Sequence, residues 1–384
     1  MDRQHQKFKV HAAFQRKEVP VHRPRPRSPG KSLKTVFFVF AGVVALAAFY
    51  TVYWFFMAAN IRSNAVNWAA EMVADGYTVR YSQLKAGGFP WGFHDTMENA
   101  ALGGKGWLWQ SAGLTLSARP WSPGRITVVP TGALSLAFNE GDKTTLYSGR
   151  AGVLSAEFTF ADGWPVQAEI TARDLSIAQN DTNRTVAIEA LTLGFTHQPD
   201  AKADDGTATM DVSLQAQGIL VSPPSLAALT GGRNGLELEA RLLGDLARGP
   251  LADSLKAWRD GGGTVQITRL KADLGALGIQ ADGTLALDEA MQPIGAFVAR
   301  IKGFFPALQA LKRAGVISAK DAVTAMVVLS AMARKKTAGG PFILTMPVTI
   351  QDLNVHVGPV SLFEIPPLNW GYFSQMDVPD PGRP

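Results

Sequence analysis

Residues 35–61 form a run of 27 residues without a charged side chain, and this run constrains the fold of the chain more than any other feature. About 20 apolar residues cross the roughly 30 Å hydrocarbon core of a bilayer, so the run predicts a transmembrane helix at residues 35–59. Tyr50, Tyr53 and Trp54 lie near its C-terminal end, where aromatic residues gather at a membrane surface. A cleaved signal peptide is the alternative, but its apolar region is only about 7–15 residues long. We therefore expect an uncleaved anchor.

Positive charge is concentrated in the first 34 residues. They contain ten basic and two acidic residues, a net charge of +8, whereas the rest of the chain has a net charge of −3. Because basic flanks tend to stay in the cytoplasm, we expect the N-terminus inside and the residues after about 60 outside the cytoplasm. The tail, residues 1–34, is rich in Pro and Arg and is predicted to be disordered. The folded part has no basic excess, so we expect no nucleic-acid partner.

Beyond the apolar run, the sequence pattern is mainly that of β-strands. Helical spacing continues over residues 60–76 and ends at Gly76, which predicts a membrane-proximal helix. Apolar and polar residues then alternate in many short segments, for example 113–118, 133–138 and 236–242. We predict a mainly β (α+β) fold, in which the transmembrane helix precedes a large antiparallel, meander-like β domain at residues 77–370. A sandwich, a barrel and an open groove are all compatible with the pattern.

Helical segments are few in this β domain. Helical spacing predicts short helices at residues 223–229, 251–258, 305–314 and 318–336. Glycine-containing turns are expected at 161–163, 204–206 and 281–283. Residues 371–384 are rich in Pro, and we expect this C-terminal end to be disordered.

The sequence contains none of the common catalytic or metal-binding motifs. It has no cysteine, and its six histidines are not at metal-ligand spacing. We expect no metal and no cofactor, and we assign no catalytic residue. A pair of carboxylates assembled only in three dimensions would escape this search, so a hydrolase stays open, although the pattern favours a binding protein.

One aromatic cluster is a candidate binding site. Phe89, Trp91 and Phe93 alternate in one segment, and Trp107 and Trp109 follow. Large side chains packed under a sheet edge, with Pro90 marking a bulge or strand end, are one interpretation. The other is a rim of aromatics at the mouth of an apolar groove, or a sugar-binding platform.

The order of several short motifs resembles a known family. The motifs are Gly88-Phe89-Pro90-Trp91, then Trp109, Pro120 and Pro123, then a block that starts at Gly283-Thr284-Leu285, runs through Gly303 and closes on Ile365-Pro366-Pro367-Leu368. Over residues 35–370 this layout resembles an uncharacterised envelope family of Gram-negative bacteria, domain of unknown function 2125. It is also loosely similar to the AsmA-like envelope proteins. The resemblance implies an inner-membrane anchor with a periplasmic C-terminal domain, and it supplies no catalytic residues.

Three functions are compatible with these features. The first is binding of phospholipid or acyl chains in cell-envelope maintenance, with the inner membrane as partner. The second is a scaffold that binds another envelope protein and no small ligand. The third is an anchored hydrolase. We expect the first, and the discriminating property is whether the apolar face of the sheet is open or sealed.

Overall fold

The computed structural model describes most of the chain from residue 30 to residue 370. The described residues are 30–74, 76–104, 106–140, 143–161, 164–182, 184–198, 208–222, 234–247, 251–275, 277–313, 318–335, 342–357, 360–368 and 370. The chain divides into two compact units, Met1–Tyr53 and Trp54–Pro384. The predicted helix at 223–229 and the predicted disordered end at 371–384 lie outside the described residues, as does most of the predicted tail.

A single long helix, α1, occupies Gly30–Ala74. Its segment Val36–Ala74 is long and apolar enough to cross a membrane, with a mean hydropathy of 2.2 in its most apolar window. Gly76 ends the helix with a φ of 81°, and the N–H groups of Gly76 and Tyr77 bond the carbonyls of Val73 and Met72. These two bonds satisfy carbonyls that the helix end leaves unpaired. The predicted transmembrane and membrane-proximal helices are therefore one continuous helix.

Eighteen strands follow in the described residues, as the alternating pattern predicts. Their bounds are β1 Thr78–Gly87, β2 Phe93–Gly104, β3 Trp107–Arg119, β4 Ser122–Glu140, β5 Lys143–Arg150, β6 Val153–Ala161, β7 Trp164–Gln179, β8 Thr185–His197, β9 Ala208–Gln217, β10 Leu220–Ser222, β11 Asn234–Leu243, β12 Thr264–Leu274, β13 Leu277–Leu287, β14 Pro293–Lys302, β15 Arg334–Lys335, β16 Phe342–Gln351, β17 Asn354–Val357 and β18 Val360–Glu364.

All of the strand pairings described are antiparallel, and most join strands that are close in sequence. The principal ladder runs β1-β2-β3-β4-β6-β7-β8-β9-β11-β12-β13-β14-β16-β17-β18. Three shorter strands pair at the side of this ladder. Strand β5 pairs with β4 and β7, β10 pairs with β8, and β15 pairs with β16. The predicted fold class, a transmembrane-type helix followed by a large antiparallel sheet, is confirmed.

One predicted turn is wrong. Residues 281–283 lie inside β13, where Ala281 pairs with Ala299 and Gly283 with Phe297. Gly283 is needed because of a close approach: a Cβ there would lie 2.3 Å from the Ala296 carbonyl oxygen. This glycine therefore permits tight packing within a sheet rather than a change of chain direction.

In the described part of the chain, three further helices lie against the sheet: α2 at Leu251–Asp260, α3 at Phe304–Arg313 and α4 at Ala319–Met332. In α2, Trp258 is buried and its Nε1–H donates to the Leu243 carbonyl at 2.8 Å. Near α3 and α4, Leu344 and Met346 of β16 form a buried cluster with Phe304. Ile301, Phe305, Leu329, Ala333 and Val357 pack around this cluster. The late helices therefore cover the C-terminal end of the sheet.

Replacing Leu344 by Ala tests this covered end. Leu344 is only 1% exposed, so the cavity left by the change should lower the free energy of unfolding by about 2–5 kcal/mol. Val298→Ala is the control, because Val298 lies on neighbouring β14 but is 43% exposed. Urea unfolding of the detergent-solubilised chain, followed by circular dichroism, should show a lower midpoint for Leu344→Ala and little change for Val298→Ala. Equal midpoints for the two variants would contradict the burial.

Candidate functional site

Cross-strand pairing aligns one apolar row across thirteen strands. Residues that directly oppose each other in an antiparallel ladder point to the same face of the sheet. Starting at β2 and ending at β17, the paired residues are Phe93, Ala118, Ile126, Phe158, Ala168, Phe195, Val212, Ala240, Ile267, Gly283, Phe297, Val348 and Val357. We call this the Phe93 row. None of its members carries a polar side chain.

A second row lies beside the first on the same face. From β2 to β16 its members are Asp95, Leu116, Val128, Ala156, Ile170, Leu193, Leu214, Leu238, Leu270, Ala281, Ala299 and Met346. We call this the Asp95 row. Its first member is an acid, and the others are apolar.

The opposite face of the same strands is polar. One paired row there consists of Ser155, Thr171, Thr192, Gln215, Glu237, Lys271, Gln280, Arg300 and Thr345. Lys271 lies 2.8 Å from Glu237 and 3.3 Å from Asp273, and these two carboxylates raise the pKa of the lysine. Such exposed ion pairs contribute little to stability, but they show that this face meets water. The sheet is therefore amphipathic from β6 to β16.

The apolar face is partly open. Phe158, Phe195 and Phe297 of the Phe93 row and Leu193 and Leu214 of the Asp95 row are only half-buried. In a sandwich, a second sheet about 10 Å away would exclude water from such large side chains. The row members that are fully buried are mostly alanines, such as Ala118 and Ala240. The apolar rows of the described residues are therefore not sealed as a sandwich core would be.

The rows are long compared with a lipid chain. Twelve steps between thirteen strands, at about 4.8 Å each, give a path of about 58 Å. Each leaflet contributes about half of the roughly 30 Å hydrocarbon core of a bilayer. The Phe93 row therefore matches the length of several acyl chains laid end to end.

The Phe93 row begins against helix α1. Phe93 and Trp54 are each 5% exposed, and their ring centroids are 5.2 Å apart. The indole Nε1–H of Trp54 donates to the Gly92 carbonyl at 3.2 Å. Phe89 packs edge-on against Trp54 at 5.3 Å and stacks on Phe55 at 6.0 Å. This aromatic cluster joins the first strand of the row to the helix.

The turn that carries this cluster depends on glycine. Gly88 has a φ of 101°, and the Gly92 N–H donates to its carbonyl at 2.9 Å. A Cβ on Gly88 would lie 2.4 Å from both the Gly92 carbonyl oxygen and the His94 ring. Both the positive φ and the close approach therefore require a residue without a side chain.

The structure divides the aromatic residues predicted from sequence into two groups. Phe89 and Phe93 meet at Trp54, whereas Trp91 of the same turn is 78% exposed. Trp107 and Trp109 are half-buried at the other end of β3, where they pair with Phe138 and Leu136 of β4. Trp109 is nine residues from Ala118, the partner of Phe93, or about 30 Å along the strand. The five residues do not form one ring, and their role as a ligand rim stays a prediction.

Asp95 is the one charged member of either row. Its side chain makes no hydrogen bond or ion pair with the described residues. Burial raises the pKa of the Asp95 carboxyl above its ordinary value of 3.8, and the Arg62 guanidinium of α1 partly opposes this rise. An acid thus marks the end of the apolar face nearest to the helix.

Trp54 and Asp95 are the two site residues that the sequence analysis did not assign to the site. Asp95 could have been found, since Phe93, Asp95 and Met97 alternate and so share one strand face. For Trp54 no signal was present, because its contact with Gly92 joins residues 38 positions apart.

The described residues contain no group of three or more His, Asp or Glu side chains placed to hold a metal ion. A shallow depression lies around Gly194, and polar side chains of the water-facing side line much of it, among them Glu169, Ser213 and Glu239. The depression spans only strands β7 to β12, whereas the Phe93 row runs from β2 to β17. The apolar face is therefore the strongest candidate site in the described part of the chain.

Asp95→Asn should stabilise the protein at neutral pH. A raised pKa means that folding disfavours the ionised carboxyl, so the penalty is present above the folded pKa and vanishes below 3.8. Thermal unfolding in detergent should give a higher midpoint for Asp95→Asn at pH 7, with the gain shrinking as the pH falls. Glu239→Gln, on the exposed polar face, removes the same charge and should not raise the midpoint at pH 7. A pH-independent difference for Asp95→Asn would contradict the effect of burial.

Comparison with known proteins identifies a family but no individual curated protein or solved structure. A search of curated proteins found no match, and neither did a search of solved structures. The family described as "Uncharacterized protein conserved in bacteria" (DUF2125) matches residues 54–366, which run from Trp54 to within the closing Pro-Pro segment. The match covers the sheet, its covering helices and the aromatic cluster. The chain belongs to the DUF2125 family of bacterial proteins.

Proposed function

We propose that this protein is a membrane-anchored cell-envelope protein that binds phospholipid or acyl chains along the apolar face of its sheet. One observation carries the proposal: the Phe93 row is continuous over thirteen strands, most of its members are half-buried, and it begins at Trp54 of the apolar helix. A ligand that leaves a bilayer at this helix would meet apolar side chains at every step.

The energetics of an acyl chain explain why continuity matters. Burying one CH₂ group gains about 0.8 kcal/mol, so a chain of roughly sixteen carbons gains on the order of 13 kcal/mol relative to water. A chain that leaves the bilayer loses this amount unless another apolar surface replaces the lipid. Direct pairing of Phe158, Ala168 and Phe195 leaves no polar side chain between neighbouring row members.

The polar face supports the same proposal. Gln215 and Glu237 lie next to Leu214 and Leu238 in sequence, on the opposite face of the sheet. One face is thus suited to water and the other to hydrocarbon. If this face served only as a stable core, Leu214 and Phe195 would be fully buried. Both side chains are instead half-buried.

We place the anchor in the bacterial inner membrane, with the sheet in the periplasm. The support is the +8 tail before the apolar run and the near absence of basic residues just after it, where Arg62 stands alone until Arg80. The family is bacterial, which is compatible with this location.

Leu214→Asp should reduce bound lipid. Leu214 lies in the middle of the Asp95 row, where a carboxylate would interrupt the apolar path. A loss of 1.4 kcal/mol is tenfold in affinity, so we expect at least about a tenfold loss of lipid. The matched control is Gln215→Asp, which adds an acid on the water-facing side of the same strand.

The measurement is mass spectrometry of lipid that co-purifies with the full chain from native membranes in mild detergent. Wild type and Gln215→Asp should carry phospholipid, and Leu214→Asp should carry little. Circular dichroism checks that all three proteins keep the same strand content. Absence of lipid from the wild-type protein would refute the lipid proposal.

Reporter fusions test the orientation. A reporter active only outside the cytoplasm, fused after Ala74, should be active, whereas a fusion before Lys31 should be silent. We expect the basic tail to hold the N-terminus in the cytoplasm, so neutralising its ten basic residues should weaken this orientation. The reverse pattern of activity would place the sheet in the cytoplasm.

A protein-binding scaffold is the second candidate, because α4 exposes an apolar surface. Val323 and Val327 are 57% and 65% exposed and, four residues apart, lie on one side of that helix. A partner helix could cover them. Stable co-purification of one envelope protein, lost in a Val323→Lys variant that still binds lipid, would assign this surface to a partner.

A further inference from the structure

Two exposed tryptophans lie at the same end of the sheet. Trp91, in the turn before β2, is 78% exposed, and Trp121, between β3 and β4, is 66% exposed. Phe93 of β2 pairs with Ala118 of β3, and Arg119 pairs with Ser122 of β4. Trp91 is therefore two residues from Phe93, and Trp121 is three residues from Ala118, the partner of Phe93 across the ladder. We call this surface the Trp91/Trp121 edge.

The edge is held close to Trp54 of helix α1. Trp54 contacts Phe89 and Phe93, and its indole bonds the Gly92 carbonyl, so residues on both sides of Trp91 are held to this helix position. The apolar run predicts a transmembrane helix at residues 35–59, and Trp54 lies near the C-terminal end of that span, toward the membrane surface. The charge-free run continues to Ile61, so the helix is still apolar at this level.

Tryptophan has a physical reason to lie at such a boundary. Its ring is largely apolar and its N–H is a donor, so it is enriched where hydrocarbon meets headgroups. In water, two exposed indoles at the same end of the sheet would add exposed apolar surface with nothing to cover it. Arg119, exposed next to the turn of Trp121, adds a cation suited to lipid phosphates.

We propose that the Trp91/Trp121 edge inserts into the headgroup and acyl boundary of the bilayer and forms a second membrane contact beside helix α1. The edge then lies on the membrane as a monotopic element does, and it holds the start of the Phe93 row at the surface. This contact does not depend on lipid binding along the apolar face.

The test uses the absence of cysteine from the chain. Trp91→Cys and Trp121→Cys each give a single site for an environment-sensitive NBD fluorophore on the full-length protein. Trp68→Cys is the matched control: Trp68 is also a tryptophan of this chain, 51% exposed, and it lies on α1 fourteen residues beyond Trp54. That separation is about 21 Å along the helix axis.

Labelled proteins are reconstituted into phosphatidylcholine–phosphatidylglycerol vesicles with or without lipid that carries a doxyl quencher near the headgroup. We expect about a twofold or greater loss of emission at positions 91 and 121 and no comparable loss at position 68. The same loss should persist in the Leu214→Asp background, which separates bilayer contact from lipid held along the sheet. Quenching at 91 and 121 no greater than at 68 overturns the proposal, whatever the outcome of the lipid measurement.

Discussion

Direct pairing of like residues across antiparallel strands is the constraint on which the rest of this structure depends. Each strand alternates between an apolar and a polar face, but alternation alone does not make a continuous surface. Continuity requires that Phe195 oppose Ala168 on one neighbouring strand and Val212 on the other. A slip of one residue in the pairing would replace Phe195 in the row by the polar Thr196 or by Gly194, which has no side chain. Because this register is kept from β2 to β17, the Phe93 row is unbroken.

The sequence predicts the elements of this fold much better than their assembly. The charge-free run predicts helix α1, and the alternation predicts the strands, because both signals are local. The error at residues 281–283 has a physical reason: the Gly283 that looked like a turn residue serves a close approach of β13 to β14. Its meaning depends on Phe297, which is fourteen residues away and opposes it across the ladder.

The candidate site shows the same limit. Phe89, Trp91, Phe93, Trp107 and Trp109 are close in sequence, and closeness in sequence suggested one cluster. The lengths of β2 and β3, twelve and thirteen residues, separate Trp107 and Trp109 from the turn of Phe89, Trp91 and Phe93 by the length of a strand. Conversely, Trp54 joins the site through a contact that no local pattern contains. Strand length and tertiary contact, rather than composition, decide which aromatics meet.

The two ends of the apolar rows differ physically, and this difference bears on how a bound chain would move. The first end consists of Phe93 against Trp54, with half-buried Asp95 beside it. At the last end, Met346 of the Asp95 row is buried in the cluster with Phe304 and Leu344. Fully burying each such side chain is worth about 1.5–3 kcal/mol, so separating helices α3 and α4 from this cluster would cost several kcal/mol.

Under the proposed function, a lipid chain would therefore enter at the Trp54 end and stop where the helices cover the sheet. Passage beyond that point needs a contribution that offsets the cost of opening the cluster. The exposed Val323 and Val327 of α4 lie on the covering helix itself, where a bound partner could supply that free energy. The lipid-binding and partner-binding candidates are then two uses of the same sheet, one along its apolar rows and one at their closed end.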